Sequence, residues 1–275
     1  MKNNIIFVLC ITGFLMGPYS IPSCDKIIES AINIRETSGD TALSNADIVE
    51  GLKTALRVGT DSSVNKTSKR NGFYKDEAIK ILLPPEAGVI YENKDHALVK
   101  AIGLDRKIEE AILALNRAAE DASKEAGPIF RNAISDMSIY DGMSILKGKD
   151  PDNAGSDVAF DSTAATTYLR KTTGDKLRDT FAPKVNASLD KKLIGNYSPN
   201  QIWNTLTASY NEIAKNSFGM IKPVSTTDLG TYVTEKTLEG LFLKVATEEK
   251  KIRQDPLAWA KTSAGKILER VFGKQ

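Results

Sequence analysis

Three groups of polar residues have the types and spacings that acid–base, metal or anion chemistry would use. Asn116, Arg117 and Glu120 fall within one turn of a helical pattern, and at that spacing Arg117 and Glu120 share a face. Glu249 and Arg253 form an i, i+4 pair directly after Glu248. On a helix Glu248 and Glu249 would point about 100° apart, so they cannot act as an acid–base pair without another element. Brought together, Asn116, Arg117, Glu120, Glu249 and Arg253 would line a polar pocket at the mouth of a groove. Kept apart, the charged ones would pair along their own helices for a few tenths of a kcal/mol. The most enzyme-like use of these residues is hydrolysis by Glu120 with Arg117. No catalytic residue is assigned, because the chain has no Gly-x-Ser-x-Gly, His-Glu-x-x-His, Walker or dinucleotide motif. His96, the one histidine, cannot build a multi-histidine zinc site.

The third group is an acidic loop. Counting from Asp150, oxygen side chains fall at positions one (Asp150), three (Asp152), seven (Ser156) and twelve (Asp161), with Gly155 at six. A calcium loop of the EF-hand type would use those positions. Position five is Ala154, position nine is Val158, and the twelfth is aspartate rather than a bidentate glutamate. A solvated acidic loop is the simpler expectation, and no cofactor is expected. Trp203, Tyr210, Tyr232, Phe242 and Trp259 read as core aromatics, although an apolar ligand groove would use the same residues.

These residues must be positioned by a body, and the first residues say where that body is sent. Lys2 precedes an apolar run from Ile5 to Met16, broken only by Thr12 and Gly13 and ended by Gly17-Pro18. About a dozen residues is short for a bilayer core of about 30 Å but fits the apolar stretch of an export signal. Ile21-Pro22-Ser23-Cys24 then resembles the site at which bacterial lipoproteins are cut and acylated, with Pro22 an unusual member. Residues 1–23 are therefore expected to be a signal peptide, Cys24 the lipid attachment site and residues 24–43 a tether. A helical domain should fill residues 44–273. Loss of Lys2 and Cys10 with the signal leaves 36 basic against 35 acidic residues and no cysteine but Cys24. The core must thus hold without a disulfide framework, and roughly 230 residues can bury enough surface to do so. The balanced charge gives no support for a nucleic-acid surface.

Helical periodicity dominates the rest. Ile48, Leu52, Ala55, Leu56 and Gly59 follow Ser44-Asn45, and Leu104, Ile108, Ala111, Ile112, Leu115, Ala118, Ala119 and Ala122 repeat the stripe over five turns. Pro128 suits the first position of the next helix, and Ser138 to Asp141 suits the cap of a short one. Ser162 and Thr173 would cap two successive helices, Ser198-Pro199 another, and Asp228 the longest late one; Ile267, Leu268, Val271 and Phe272 form a last piece. Ile79 to Leu83, stopped by Pro84-Pro85, is the only strand-like run. The pattern predicts an all-α, single-domain bundle of roughly ten helices.

Several motifs also recur in a known order. They are Leu43-Ser-Asn-Ala-Asp-Ile48, Gly51-Leu-Lys-Thr-Ala-Leu56, Asn71-Gly-Phe-Tyr74, Ile79-Lys-Ile-Leu-Leu-Pro84, Leu115-Asn-Arg-Ala-Ala-Glu120, Ala164-Ala-Thr166, Tyr232-Val-Thr-Glu235, Gly240-Leu-Phe242 and Glu248-Glu-Lys-Lys-Ile-Arg253. Together they resemble the bacterial family catalogued as domain of unknown function 4197, from about Leu43 to Gly273. The resemblance implies an exported, helical, envelope-associated protein and supplies no reaction, cofactor or catalytic residue. Lys149 to Asp161 departs from it as an insertion, and Leu257 to Thr262 lacks the arginine that similar sequences carry after the proline matching Pro256. The expected function is a lipid-anchored, periplasm-facing binding or structural module that is not an enzyme. A carrier of a lipid or other apolar ligand is the alternative, and the Glu120/Arg117 hydrolase comes third. Its partners would be the membrane, through the anchor, and an envelope protein or apolar ligand.

Overall fold

A computed structural model describes residues 43–273, except 94, 98–99, 101–102, 156 and 226–227. The expected signal peptide, Cys24 and the tether up to Ala42 lie outside the described residues. Among those described there are nine α-helices and no strand. The helices are α1 Asn45–Thr67, α2 Gly88–Asn93, α3 Leu104–Ser123, α4 Ala126–Asp136, α5 Gly142–Leu146, α6 Ala164–Asp190, α7 Pro199–Asn216, α8 Leu229–Gln254 and α9 Gly265–Phe272. Short 3-10 turns occupy Pro85–Ala87 and Pro256–Trp259. No helix among them is long and apolar enough to cross a membrane.

The helix starts follow local chemistry. Ser44 and Ser198 each accept the N–H of the third helical residue, while Asp47 and Gln201 reach back to the cap's own N–H. Each such box satisfies two donors that a helix start leaves without partners. Asp228 and Asp141 cap α8 and α5 in the simpler way, each with one side-chain acceptor. Three expectations are corrected. Asp141, not Ser138, caps α5, and α4 begins two residues before Pro128. The two helices expected at Ser162 and Thr173 are one helix, α6, with Pro183 inside it. Thr173 sits in its interior and donates its hydroxyl to Leu169 O at 2.6 Å, a back-bond that satisfies a threonine without ending the helix.

The core lies where α1, α6 and α8 meet, with α8 packed on both of the others. Helix α3 packs against α6 and α7, and α4 closes on α1 and α6. The apolar stripes expected from spacing are the buried ones: Ile48, Leu52 and Leu56 on α1, Ile108 and Leu115 on α3, and Leu241, Val245 and Ile252 on α8. Full burial of each such side chain stabilises by about 1.5–3 kcal/mol. Phe130 and Phe242 join α4 to α8 with ring centroids 5.3 Å apart. Gly51 is a close-approach position, because a Cβ there would lie 2.5 Å from Val271 Cγ2 of α9.

Candidate functional site

Asn116, Arg117 and Glu120 lie on α3 and act together on the connection after α1. Asn116 is fully buried. Its Oδ1 accepts the Ile81 N–H at 2.9 Å, and its Nδ2 donates to Ile81 O and Ile112 O, both at 2.7 Å. The amide thus pairs with the Ile81 backbone as a neighbouring strand would, and the strand-like run Ile79–Leu83 belongs to no sheet. Glu120 Oε1 accepts the N–H groups of Phe73 and Tyr74 at 3.2 Å each. Its other oxygen pairs with Arg117. Arg117 Nη2 donates to Asn71 Oδ1 at 2.7 Å, and its guanidinium lies 5.8 Å from the centre of the Tyr74 ring. Asn71 itself adopts the left-handed conformation, φ 71°.

Glu249 and Arg253 work at another junction. Glu249 accepts the N–H of Ala165 at 3.0 Å, the N–H of Thr166 at 2.8 Å and the Thr166 hydroxyl at 2.6 Å. It therefore caps the start of α6 from the neighbouring helix α8, placing a negative charge where the helix dipole favours one. Arg253 Nε donates to Glu249 Oε1 at 2.9 Å, and its two Nη groups reach Leu146 O at 2.7 Å and Ile145 O at 2.9 Å. Both side chains are at most 4% exposed. Beside them, Glu248 ties α8 to α1 through Lys66 at 2.7 Å and pairs along its own helix with Lys251 at 2.8 Å.

The five residues expected to line one pocket thus form two clusters whose hydrogen bonds share no partner. They are nevertheless connected in effect, since each cluster fixes a wall of the same open groove of about 620 Å³. One wall is Ala78–Leu82, held by Asn116 through Ile81. The other is the start of α6, where Thr166 is held by Glu249. Helix α8 closes the groove with Tyr232, Phe242 and Leu243. The Tyr232 hydroxyl, within reach of Leu82 O and Leu83 O at 3.1 and 3.3 Å, fixes the far end of the first wall. Burial pushes that hydroxyl up to about 12, with Glu239 adding to the effect, so it remains a neutral donor. Gly240 lets α8 approach the wall, because a Cβ there would lie 2.7 Å from Phe73 Cε1.

Several groove residues carry no signal that singles them out in the sequence. Leu82 and Leu243 are 54% and 45% exposed, apolar side chains left open to solvent. Leu243 falls out of phase with the Leu238, Leu241, Phe242, Val245 stripe, and that mismatch is the one clue available before the fold. Arg170 stacks 5.7 Å from the Phe242 ring and has no carboxylate partner among the described residues. Lys80 lies 4.9 Å from the Tyr74 ring, while Lys236 is paired with Glu239 at 2.8 Å. The groove is therefore apolar along its floor and cationic at its rim. A smaller depression of about 340 Å³ continues it past Arg170, Glu239 and Phe242.

The acidic loop has a different occupant from the one its spacing suggests. Lys171 Nζ lies 2.8 Å from Asp150 Oδ2 and 2.6 Å from Asp152 Oδ2, so an ammonium sits where a calcium ion would draw on those carboxylates. Asp152 also accepts the Tyr140 hydroxyl at 2.6 Å, and that bond pushes Tyr140 up to about 12. Asp161 caps the turn into α6 by accepting from Thr163, and Ser156 lies outside the described residues. Among the described residues no cluster of three or more histidine, cysteine or carboxylate side chains could hold a metal. His96 sits in the turn after α2, its backbone N–H on Asn93 O.

No curated protein and no solved structure matches this chain. The sequence model of one family, described as protein of unknown function (DUF4197), matches residues 42–273. That span takes in every helix described above, and the chain belongs to that family.

Proposed function

We propose that this is an exported, lipid-anchored envelope protein whose helical domain is a non-enzymatic binding module, with the groove between α6, α8 and the Ala78–Leu82 wall as its working surface. The observation that carries the reading is the fate of the buried polar residues. Asn116, Glu120, Glu249 and Arg253 spend their hydrogen bonds on backbone groups and on each other. Neither Glu120 nor Glu249 lines the groove, and freeing either carboxylate would leave buried backbone donors unpaired at about 1–3 kcal/mol each. The Glu120/Arg117 hydrolase is therefore disfavoured, and these residues serve to build the groove. Export and anchoring rest on Lys2, the Ile5–Met16 run and the placement of Cys24.

The exposed Leu82 and Leu243 beside Phe242 also favour a second reading, a carrier of an apolar ligand. Against it, Ala111, Ala118, Ala119 and Ala122 are buried in close helix packing, which leaves little room for an enclosed cavity. Native mass spectrometry of protein purified without detergent separates the two, since a carrier brings its ligand along. The non-enzymatic reading is tested by screening the purified mature protein on ester, peptide, glycoside and phosphate substrates. No turnover is expected. Turnover abolished by Glu120→Gln or His96→Asn in a variant that still folds would overturn the proposal.

A further inference from the structure

The loop after α7 projects two large apolar side chains away from the protein. Phe218 is 98% exposed and Met220 70%, and between them Gly219 continues the left-handed backbone of Phe218, with φ 53° at Phe218 and 84° at Gly219. An aromatic residue adopts that conformation only against a steric cost, and here it gains no buried contact in return. The base of the loop is nevertheless pinned. Ser217, buried at the end of α7, donates its hydroxyl to Ala214 O at 2.7 Å and accepts the Ile221 N–H at 2.9 Å. Asn211 of α7 holds Val224 from both sides, accepting its N–H at 2.7 Å and donating to its carbonyl at 3.2 Å. Ile221 and Val224 are buried between these bonds, so the tip is presented by a fixed base.

Two other exposed aromatics, Tyr140 and Phe160, have contacts of their own. Tyr140 bonds Asp152, and Phe160 lies 6.0 Å from the Arg253 guanidinium. Phe218 has no such contact, and the nearest charged residue along the chain on either side of it is a lysine. Lys215 and Lys222 are exposed and unpaired among the described residues, and no carboxylate occurs from Ile213 to Ser225. An apolar tip with a cationic collar is the arrangement that enters the headgroup region of an anionic bilayer, the rings and thioethers below and the ammonium groups at the phosphates.

We propose that Phe218 and Met220, flanked by Lys215 and Lys222, form a membrane-contacting tip that docks on anionic phospholipid. Two apolar side chains and two lysines bind weakly alone, so the tip acts as a second point of contact that orients a chain already tethered to the bilayer. The proposal is independent of the groove. The proposal rests on the anchored reading above, so the test supplies a tether of its own: the chain from residue 24, with Cys24→Ser and an N-terminal hexahistidine tag, is held by nickel-chelating lipid in every vesicle, and an environment-sensitive fluorophore has one thiol, introduced as Phe218→Cys, Met220→Cys or, for comparison, Tyr197→Cys on another exposed loop. The vesicles are otherwise of phosphatidylethanolamine with phosphatidylglycerol, or of phosphatidylcholine alone. Labels at 218 and 220 should emit brighter and bluer on the anionic vesicles and be quenched by nitroxide lipids, while the label at 197 should not. Adding Lys215→Glu with Lys222→Glu should abolish the difference between the two lipid mixtures. Labels at 218 and 220 as water-exposed as the one at 197 would overturn the proposal. So would a response that needs an envelope protein extract and is absent on vesicles alone.

Discussion

Replacing Glu249 by alanine tests how much the buried polar residues matter to the fold. The change removes the acceptor for the Ala165 and Thr166 N–H groups and for the Thr166 hydroxyl. It also strands Arg253, 4% exposed, with only the carbonyls of Ile145 and Leu146. Breaking one side of a buried ion pair costs about 3–5 kcal/mol, a large fraction of a total stability of about 5–15 kcal/mol. For a domain of this size each kcal/mol moves the midpoint by about 2–4 °C, so a fall of about 6–20 °C is expected. Glu249→Leu combined with Arg253→Met removes both charges and should cost less than Glu249→Ala alone, because no buried ion is left without its partner. Urea unfolding followed by far-ultraviolet circular dichroism reads both. A loss under about 0.5 kcal/mol for Glu249→Ala, the scale of an ordinary surface change, would refute the reasoning. So would a double variant as unstable as the sum of the two single ones.

Three further outcomes follow from the geometry. Gly240→Ala should destabilise by about 1–3 kcal/mol through overpacking against Phe73, although the same change in an exposed helix gains about 1 kcal/mol; a higher melting temperature would contradict the close approach. Burial pushes Glu248 up, but hydrogen bonds from Lys251 and Lys66 outweigh it and hold the carboxyl below its ordinary 4.5. Asp121 is lowered against the same opposing burial by Lys124 and Lys191. A depressed carboxyl contributes stability that is complete above its unfolded pKa and lost as pH falls through the folded one. Stability should therefore drop on acidification below about pH 4.5, with a shallower slope in Lys66→Ala/Lys251→Ala; an unchanged slope would remove these lysines as the cause. Calcium at about 1 mM, the range of extracellular modules, should leave the melting temperature unmoved while Lys171 holds Asp150 and Asp152, and a rise of several degrees would count against that arrangement.

Much of the fold is legible because it is local. Ser44, Ser198 and Asp228 announce their helices through side chains three residues from their targets, and the α3 stripe runs without interruption. Reading fails where a side chain has two local choices, or where a distant residue decides. Thr173 looks like a cap, yet α6 continues because its hydroxyl turns back to Leu169 O. Ile79–Leu83 looks like a strand, but its first two residues turn on Asp76 O, and the partner of Ile81 is the Asn116 side chain, 35 residues away. The polar residues of α3 and α8 are visible as motifs, whereas their targets are backbone groups 35 to 108 residues distant. The groove itself depends on α6 and α8 lying side by side, and no local spacing encodes which of their exposed faces will meet. Lys171 is similarly invisible from the acidic loop, since it lies 21 residues from Asp150 along the chain and about two turns inside another element.

The central claim is that the groove is the working surface and the buried polar residues are its supports. A photo-crosslinking amino acid placed at Leu82 or Leu243, in the groove, and at Leu257, which is 59% exposed outside it, tests this in the intact envelope of the native host. The account predicts a discrete adduct from positions 82 and 243 that weakens with Arg170→Glu and is absent from position 257. No adduct from either groove position, or the same adduct from all three, would contradict it.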